Sequence, residues 1–159
     1  IDDIEAGVTH HQDSKRAAPL VPPPKPIRVL ITDDSNVIRR SVMRSLSSLN
    51  YIVDTAENGV EALEYLKTHY YDFVLMDLHM PTMDGLTCVK IWRRYEDENH
   101  DTLLHYQPIL GMSGHSDEDV ASLVIEAGMD GFIEKPFKME ELFDKCRHCG
   151  IRTSSDTAF

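Results

Sequence analysis

The sequence lacks any apolar run that approaches the ~18–20 residues needed to span a bilayer. Nothing at its amino end combines a charged start, an apolar stretch and a cleavage site, so no secretory leader is indicated. Only three cysteines are present, Cys88, Cys146 and Cys149, which is too few for a disulfide framework. These absences predict a segment without membrane contact in a reducing, cytoplasmic compartment, although the parent protein could be membrane-attached.

Basic residues are also scarce. The chain has 16 Lys and Arg against 27 Asp and Glu, which gives a net charge of −11. Binding to a polyanion depends on basic side chains that neutralise phosphates, so we expect no nucleic-acid partner for this segment. The 159 residues, 42% of them hydrophobic, suffice for one globular domain with tails.

The prolines mark the domain organisation. Five of the eight fall within residues 19–26, where they favour an extended, semi-rigid spacer. We therefore predict a flexible polar and Pro-rich linker over 1–26, a folded domain over 27–150 and a carboxyl-terminal tail over 151–159. The alternative is that the proline-rich run packs on the domain as a surface arm.

From residue 27 onward, short apolar runs alternate with helical periodicity. Strands are predicted at 27–33, 51–56, 73–77, 108–113 and 131–135, and helices at 35–49, from Asn58, at 85–94, at 116–127 and along the stripe of Met139, Leu142, Phe143 and Cys146. This alternation predicts an α/β fold, a flavodoxin-like doubly wound parallel sheet of five strands in the order 2-1-3-4-5 with five helices. In such sheets ligands bind beyond the carboxyl ends of the strands.

Two segments fit this pattern less simply. Residues 95–107 are long and acidic for a connection, and they either extend the preceding helix or form a partner-specific loop. The spacing of Cys146 and Cys149 is compatible with a zinc site, but a second pair of ligands is missing. Cys146 also falls on the apolar stripe of the last helix, so we favour core packing for it.

Three carboxylates are expected to meet at the carboxyl edge of the sheet. Asp33 and Asp34 follow the first strand, and Asp77 ends the third. Taken singly, each is best explained as a turn or cap residue. Together they would repel one another, at about 1 kcal/mol or more per pair, unless a hard cation such as Mg²⁺ neutralised them.

Two further polar side chains are predicted at the same edge. Ser113 ends the fourth strand, and Lys135 ends the fifth, directly before Pro136. A lysine among carboxylates supplies a cation for phosphoryl oxygens, and a hydroxyl can hydrogen-bond to the same oxygens. Each residue alone would be a surface charge or a turn residue, so it is their joint placement that indicates phosphoryl chemistry.

This set of residues resembles the receiver domain of two-component response regulators. The matching segments are Asp33–Asp34, MDLHMPTMDG at 76–85, MSG at 112–114 and FIEKPF at 132–137. The resemblance covers about 27–150, which is the whole predicted domain.

The resemblance implies a role for each site residue. Asp77 would be the phospho-acceptor, and Lys135 would pair with the phosphoryl group. Mg²⁺, for which Mn²⁺ could substitute, would be bound by Asp34, Asp77 and the backbone carbonyl of His79. Asp33 would act on the metal largely through bound water.

The resemblance also implies a conformational switch. Ser113 would supply the switch hydroxyl and Phe132 the switch aromatic ring. A cis peptide bond is expected before Pro136. Phosphoryl groups would come from a histidine kinase domain or a histidine phosphotransfer protein, and the receiver would catalyse its own phosphorylation and dephosphorylation.

Two other function classes compete with this interpretation. Metal-dependent hydrolases with an aspartate nucleophile usually carry an Asp-x-Asp pair, whereas here Leu78 and His79 follow Asp77. A receiver used only for protein contacts is disfavoured by the intact site residues.

The parent protein is expected to be longer than this chain. The sequence begins at Ile1 rather than Met, and the tail after residue 150 is too short for an output domain. We therefore expect the carboxyl-terminal receiver of a hybrid histidine kinase, in preference to a stand-alone regulator.

Overall fold

The computed structural model describes residues 22–114 and 119–154 of the chain. Within those ranges, strands and helices alternate as β1 Arg28–Thr32, α1 Asn36–Ser48, β2 Ile52–Ala56, α2 Gly59–Thr68, β3 Phe73–Asp77, α3 Gly85–Glu98, β4 Ile109–Ser113, α4 Val120–Ala127, β5 Gly131–Glu134 and α5 Met139–His148. The strands form one parallel sheet in the order β2-β1-β3-β4-β5. The predicted fold is confirmed.

The helices cover both faces of the sheet. Along β1, Leu30 belongs to one apolar cluster, whereas Val29 and Ile31 belong to the other, as the alternation of side chains in a strand requires. The first cluster contains residues of α2, α3 and α4, and the second contains residues of α1 and α5. Because β3 and β4 are buried along their whole length, their sequences are nearly all apolar.

Side-chain caps define where three of the helices begin. Ser35 accepts a hydrogen bond from the backbone N–H of Ile38 at 3.4 Å, and Asn58 accepts one from Glu61 at 2.9 Å. Asp84 accepts one from the N–H of Thr87 at 2.7 Å. Such caps satisfy N–H groups that have no partner inside the helix. The predicted start at Asn58 is therefore confirmed.

Helix α3 ends four residues after residue 94, where its end was predicted. It continues to Glu98, which is the first of the two alternatives considered for residues 95–107. Arg93 explains the extension, since its guanidinium pairs with Glu96 at 2.6 Å and donates to the carbonyl of Gln107 at 2.9 Å. These contacts fasten the last turn of the helix and the returning loop to each other.

Residues at the carboxyl-terminal end of the domain are packed into its core. Cys146 is buried in the second apolar cluster, which confirms core packing for this residue. Ile151 and Thr153 are buried, and the backbone N–H of Ser154 donates to the Tyr51 hydroxyl at 2.9 Å. The packed chain therefore continues past the predicted boundary at residue 150.

Some predictions fall on residues that the structure does not describe. Most of the proposed linker over 1–26 and the start of the fourth helix at 116 lie outside the described residues; α4 is described from Val120. Over 22–114 and 119–154, every helix is too short or too polar to cross a membrane.

Candidate functional site

The candidate site lies at the carboxyl edge of the sheet, where the strand order reverses between β1 and β3. Asp33 directly follows β1, and Asp77 is the last residue of β3. One carboxylate oxygen from each of Asp33, Asp34 and Asp77 lies within 4.8 Å of the other two. The three acids predicted to meet therefore do meet, and we call them the acidic group.

Lys135 links two members of the acidic group. Its ammonium nitrogen lies 2.9 Å from Asp33 Oδ2 and 3.2 Å from Asp77 Oδ1. Its backbone N–H donates to the carbonyl of Ser113 at 2.6 Å, and its peptide bond to Pro136 is cis, as expected. The end of β5 thus brings a positive charge directly to the carboxylates at the ends of β1 and β3.

Burial governs the ionisation of Asp77. The residue is 4% exposed, and its burial, together with the nearby Asp33 carboxylate, raises its pKa from 3.8 to about 6. The Lys135 ammonium and the backbone N–H of His79, 3.3 Å from Asp77 Oδ1, act in the opposite direction. At neutral pH Asp77 is therefore an ionised carboxylate in surroundings that favour its neutralisation.

The charge of Lys135 is held in place by the same acids. Burial alone would lower the pKa of its ammonium group. The hydrogen bond to Asp33 and the charges of Asp77 and Asp33 outweigh that effect and raise the pKa above its ordinary value. Lys135 consequently stays cationic at any pH at which Asp33 and Asp77 are ionised and the pH is below its raised pKa.

The raised pKa of Asp77 makes the stability of the metal-free protein depend on pH. A carboxyl group that binds its proton more tightly in the folded state stabilises the fold below its unfolded pKa, and this contribution is lost as pH rises through about 6. We expect Asp77→Asn, which cannot ionise, to be more stable than the wild type at pH 7.5 by about 1–2 kcal/mol. Urea unfolding in EDTA measures the difference, which should shrink towards pH 4.5. An unchanged difference across that range would contradict the assignment.

The donors of the acidic group suit a hard divalent cation. All are carboxylate oxygens, and their spacing of 4.8 Å or less is close to the ~4.2 Å between opposite ligands of an octahedral Mg²⁺ ion. Asp34 is exposed, whereas Asp33 and Asp77 are buried, so the group is open to solvent on one side. The residues present therefore fit a hard divalent cation such as Mg²⁺.

Ser113 and Phe132 lie on the two strands beyond β3. Ser113 is buried at the end of β4, next in register after the pair formed by Asp77 and Met112. Phe132 is partly buried on β5, packs against the first apolar cluster and lies beneath the Lys145 ammonium, 5.8 Å from the ring centre. The structure thus places Ser113 at the strand end beside the acidic group and Phe132 farther along, facing α4 and α5.

Two residues near the site were not among the predicted site residues. Arg39 is buried on α1, and its guanidinium donates to the backbone carbonyl of Asp33 at 2.5 Å. Gly85, the first residue of α3, packs directly against the Asp77 backbone. The only signal for Arg39 in the sequence is a charged residue beside the apolar positions of the first helix, which does not reveal a contact to a backbone carbonyl.

Comparison with known proteins gives one family match and many relatives. Residues 29–147 match the family described as the response regulator receiver domain. Response regulator MprA from Mycobacterium sp. (strain KMS) is 35% identical over 131 residues, which are 82% of this chain and 54% of that protein. MprA from Mycobacterium bovis (strain BCG / Pasteur 1173P2) is 33% identical over 132 residues, 83% of this chain and 54% of that protein. The chain thus spans about half the length of these relatives.

Solved structures show the same similarity. Vibrio cholerae chemotaxis protein CheY4 matches with a TM-score of 0.69 and 29% identity, over 79% of this chain and 99% of that chain. A CheX–CheY complex with BeF₃ and Mg²⁺ from Borrelia burgdorferi matches with a TM-score of 0.68 and 27% identity, over 80% of this chain and 91% of that chain.

Proposed function

The chain belongs to the response-regulator receiver family of two-component signalling, and from this premise we propose that Asp77 accepts a phosphoryl group from a phosphohistidine. The observation that carries the proposal is the contact of Lys135 with both Asp33 and Asp77, at 2.9 and 3.2 Å, within the acidic group. A buried carboxylate is suited to attack a phosphoryl group as the nucleophile. A fixed ammonium group beside it can stabilise the negative charge on the phosphoryl oxygens.

Asp33, Asp34, Asp77 and the backbone carbonyl of His79 are the groups proposed to hold Mg²⁺, and Mn²⁺ could substitute. When bound, the cation neutralises negative charge on the carboxylates and on the phosphoryl oxygens. The oxygen-only donor set supports this assignment. The presence of Mg²⁺ in the Borrelia burgdorferi CheY complex supports it further.

The chain's own residues supply the remaining chemistry. An Asp77 carboxylate oxygen attacks phosphorus, the bond from phosphorus to the donor histidine nitrogen breaks, and the imidazole leaves with the bond electrons and takes up a proton. Lys135 stabilises the charge that develops on the phosphoryl oxygens. Since the pKa of Asp77 is about 6, its nucleophilic form predominates at neutral pH.

The phosphorylated state is proposed to alter the surface formed by α4, β5 and α5. Ser113 would hydrogen-bond to the new phosphoryl group, and Phe132 would turn into the space that Ser113 leaves. Phe132 supports this role by its position, since with Val124, Ile125 and Lys145 it lines a cavity between those three elements. A two-state rearrangement here would couple the site to a partner surface.

The wild-type chain provides the test of the proposed function. Incubation with acetyl phosphate and MgCl₂ should add one phosphoryl group, detected by intact mass, because the acidic group then has both nucleophile and cation. Hydroxylamine should remove the group, since it cleaves an acyl phosphate, and EDTA should prevent its addition. A chain that remains unmodified in MgCl₂ would refute the proposal.

We propose that a histidine kinase domain or a histidine phosphotransfer protein donates the phosphoryl group, that the domain acts in the cytoplasm, and that the parent is a hybrid histidine kinase. Membership of the two-component family supports the donor class. The relatives are about twice as long as the matched segment, so the match accounts for about half of each of those proteins.

A further inference from the structure

Arg39 is a charged residue on the buried face of α1. It is 8% exposed and shares that face with Val42 and Leu46, whose side chains lie in the core. Burying a charge is costly unless the charge is paired and hydrogen-bonded. An arginine at this position therefore calls for specific partners.

The partners of Arg39 lie on two loops beside the acidic group. One guanidinium nitrogen, Nη1, donates to the backbone carbonyl of Asp33 at 2.5 Å, and Nη2 donates to Glu57 Oε1 at 3.1 Å. The fixed fork of a guanidinium allows both bonds at once. Arg39 consequently joins α1 to the loops that follow β1 and β2.

The carbonyl that Arg39 holds belongs to the peptide group between Asp33 and Asp34. The Asp33 carboxylate has its own restraints, the Ser35 N–H at 2.8 Å and the Lys135 ammonium at 2.9 Å. The Asp34 carboxylate is exposed, and no other residue within 22–114 and 119–154 donates a hydrogen bond to it. Its position therefore depends on the orientation of the preceding peptide group.

We propose that Arg39 is a positioning residue for the divalent cation, because its bond to the Asp33 carbonyl fixes the peptide from which the Asp34 carboxylate reaches the metal. This inference rests on the proposed function, since it takes Mg²⁺ to bind at the acidic group. Residues that orient metal ligands typically change metal affinity by 10–100-fold when they are replaced.

The sign of the effect separates positioning from simple electrostatics. Removal of a positive charge beside three carboxylates would by itself strengthen cation binding. Loss of a positioning bond would weaken it. A variant without the guanidinium therefore gives opposite results under the two explanations.

Titration calorimetry with MgCl₂ tests the inference. Arg39→Met removes both donors but retains apolar bulk, and Glu57 is left in contact with water because its side chain is 67% exposed. We expect the Kd for Mg²⁺ to rise about 10-fold or more, while the thermal midpoint in EDTA stays within a few degrees of the wild-type value. Arg40→Met, at an exposed position on the same helix, is the matched control and should bind Mg²⁺ like the wild type.

Each other result has a defined meaning. Wild-type or tighter Mg²⁺ binding by Arg39→Met overturns the inference, including when its thermal midpoint falls. If Arg39→Met does not fold, Arg39→Gln, which is uncharged and whose amide nitrogen ends two bonds short of the arginine Nη1, decides: weaker binding supports the inference, and unchanged or tighter binding overturns it. If the wild type binds no Mg²⁺, the proposed function fails, whereas normal wild-type binding with an unaffected Arg39→Met variant removes this inference alone.

Discussion

Asp77→Asn is expected to lose phosphoryl labelling by acetyl phosphate by about 10³-fold or more, the scale seen when a nucleophile is removed from an active site. The amide oxygen of asparagine is a far weaker nucleophile than a carboxylate, and the substitution also removes one acidic ligand from the proposed metal site. Intact-mass measurement of the labelled fraction over time, in MgCl₂, gives the rate ratio between variant and wild type.

The Asp77→Asn variant should lose labelling but stay folded. The substitution removes a carboxylate whose charged form is disfavoured by burial and by the charge of Asp33. Asp97→Asn makes the same chemical change at an exposed position on α3 and serves as the control, for which we expect wild-type labelling. Labelling of Asp77→Asn at the wild-type rate would show that another residue accepts the phosphoryl group.

The fold was predictable because its signals are local. The apolar runs of β3 and β4 are long enough to be read as buried strands, and both are buried along their length. The caps at Ser35 and Asn58 are likewise set by a side chain and a backbone N–H three residues away. Such features depend on neighbouring residues in the sequence, so the sequence alone specifies them.

The site was predictable for a different reason. Parallel strands carry their following residues to one edge, so Asp33, Asp77 and Lys135 could be placed together once the strand order was known. The length of α3 was not predictable in this way, because it depends on contacts of Arg93 with the loop that returns to β4. The contact of Arg39 with a backbone carbonyl also arises only in three dimensions.

Gly85→Ala should destabilise the fold strongly, although helix propensity predicts the opposite. Alanine favours a helix over glycine by about 1 kcal/mol. However, a Cβ atom at residue 85 would overlap the backbone carbonyl oxygen of Asp77 and approach Met76 Cγ to 2.9 Å. Because the Asp77 oxygen belongs to the main chain, the overlap can be removed only if the start of α3 or the end of β3 moves.

We expect Gly85→Ala to lose about 3 kcal/mol or more of unfolding free energy, at or above the upper range for overpacked sites, as measured by urea unfolding. The control is Gly114→Ala, since a Cβ atom there would meet no atom of residues 22–114 or 119–154 within 4 Å. Because the obstructed oxygen belongs to Asp77, any Gly85→Ala protein that folds should also be labelled more slowly by acetyl phosphate. A Gly85→Ala variant as stable as Gly114→Ala would mean that α3 does not begin against the strand that ends at Asp77, and would contradict the close packing of Gly85 on the Asp77 backbone.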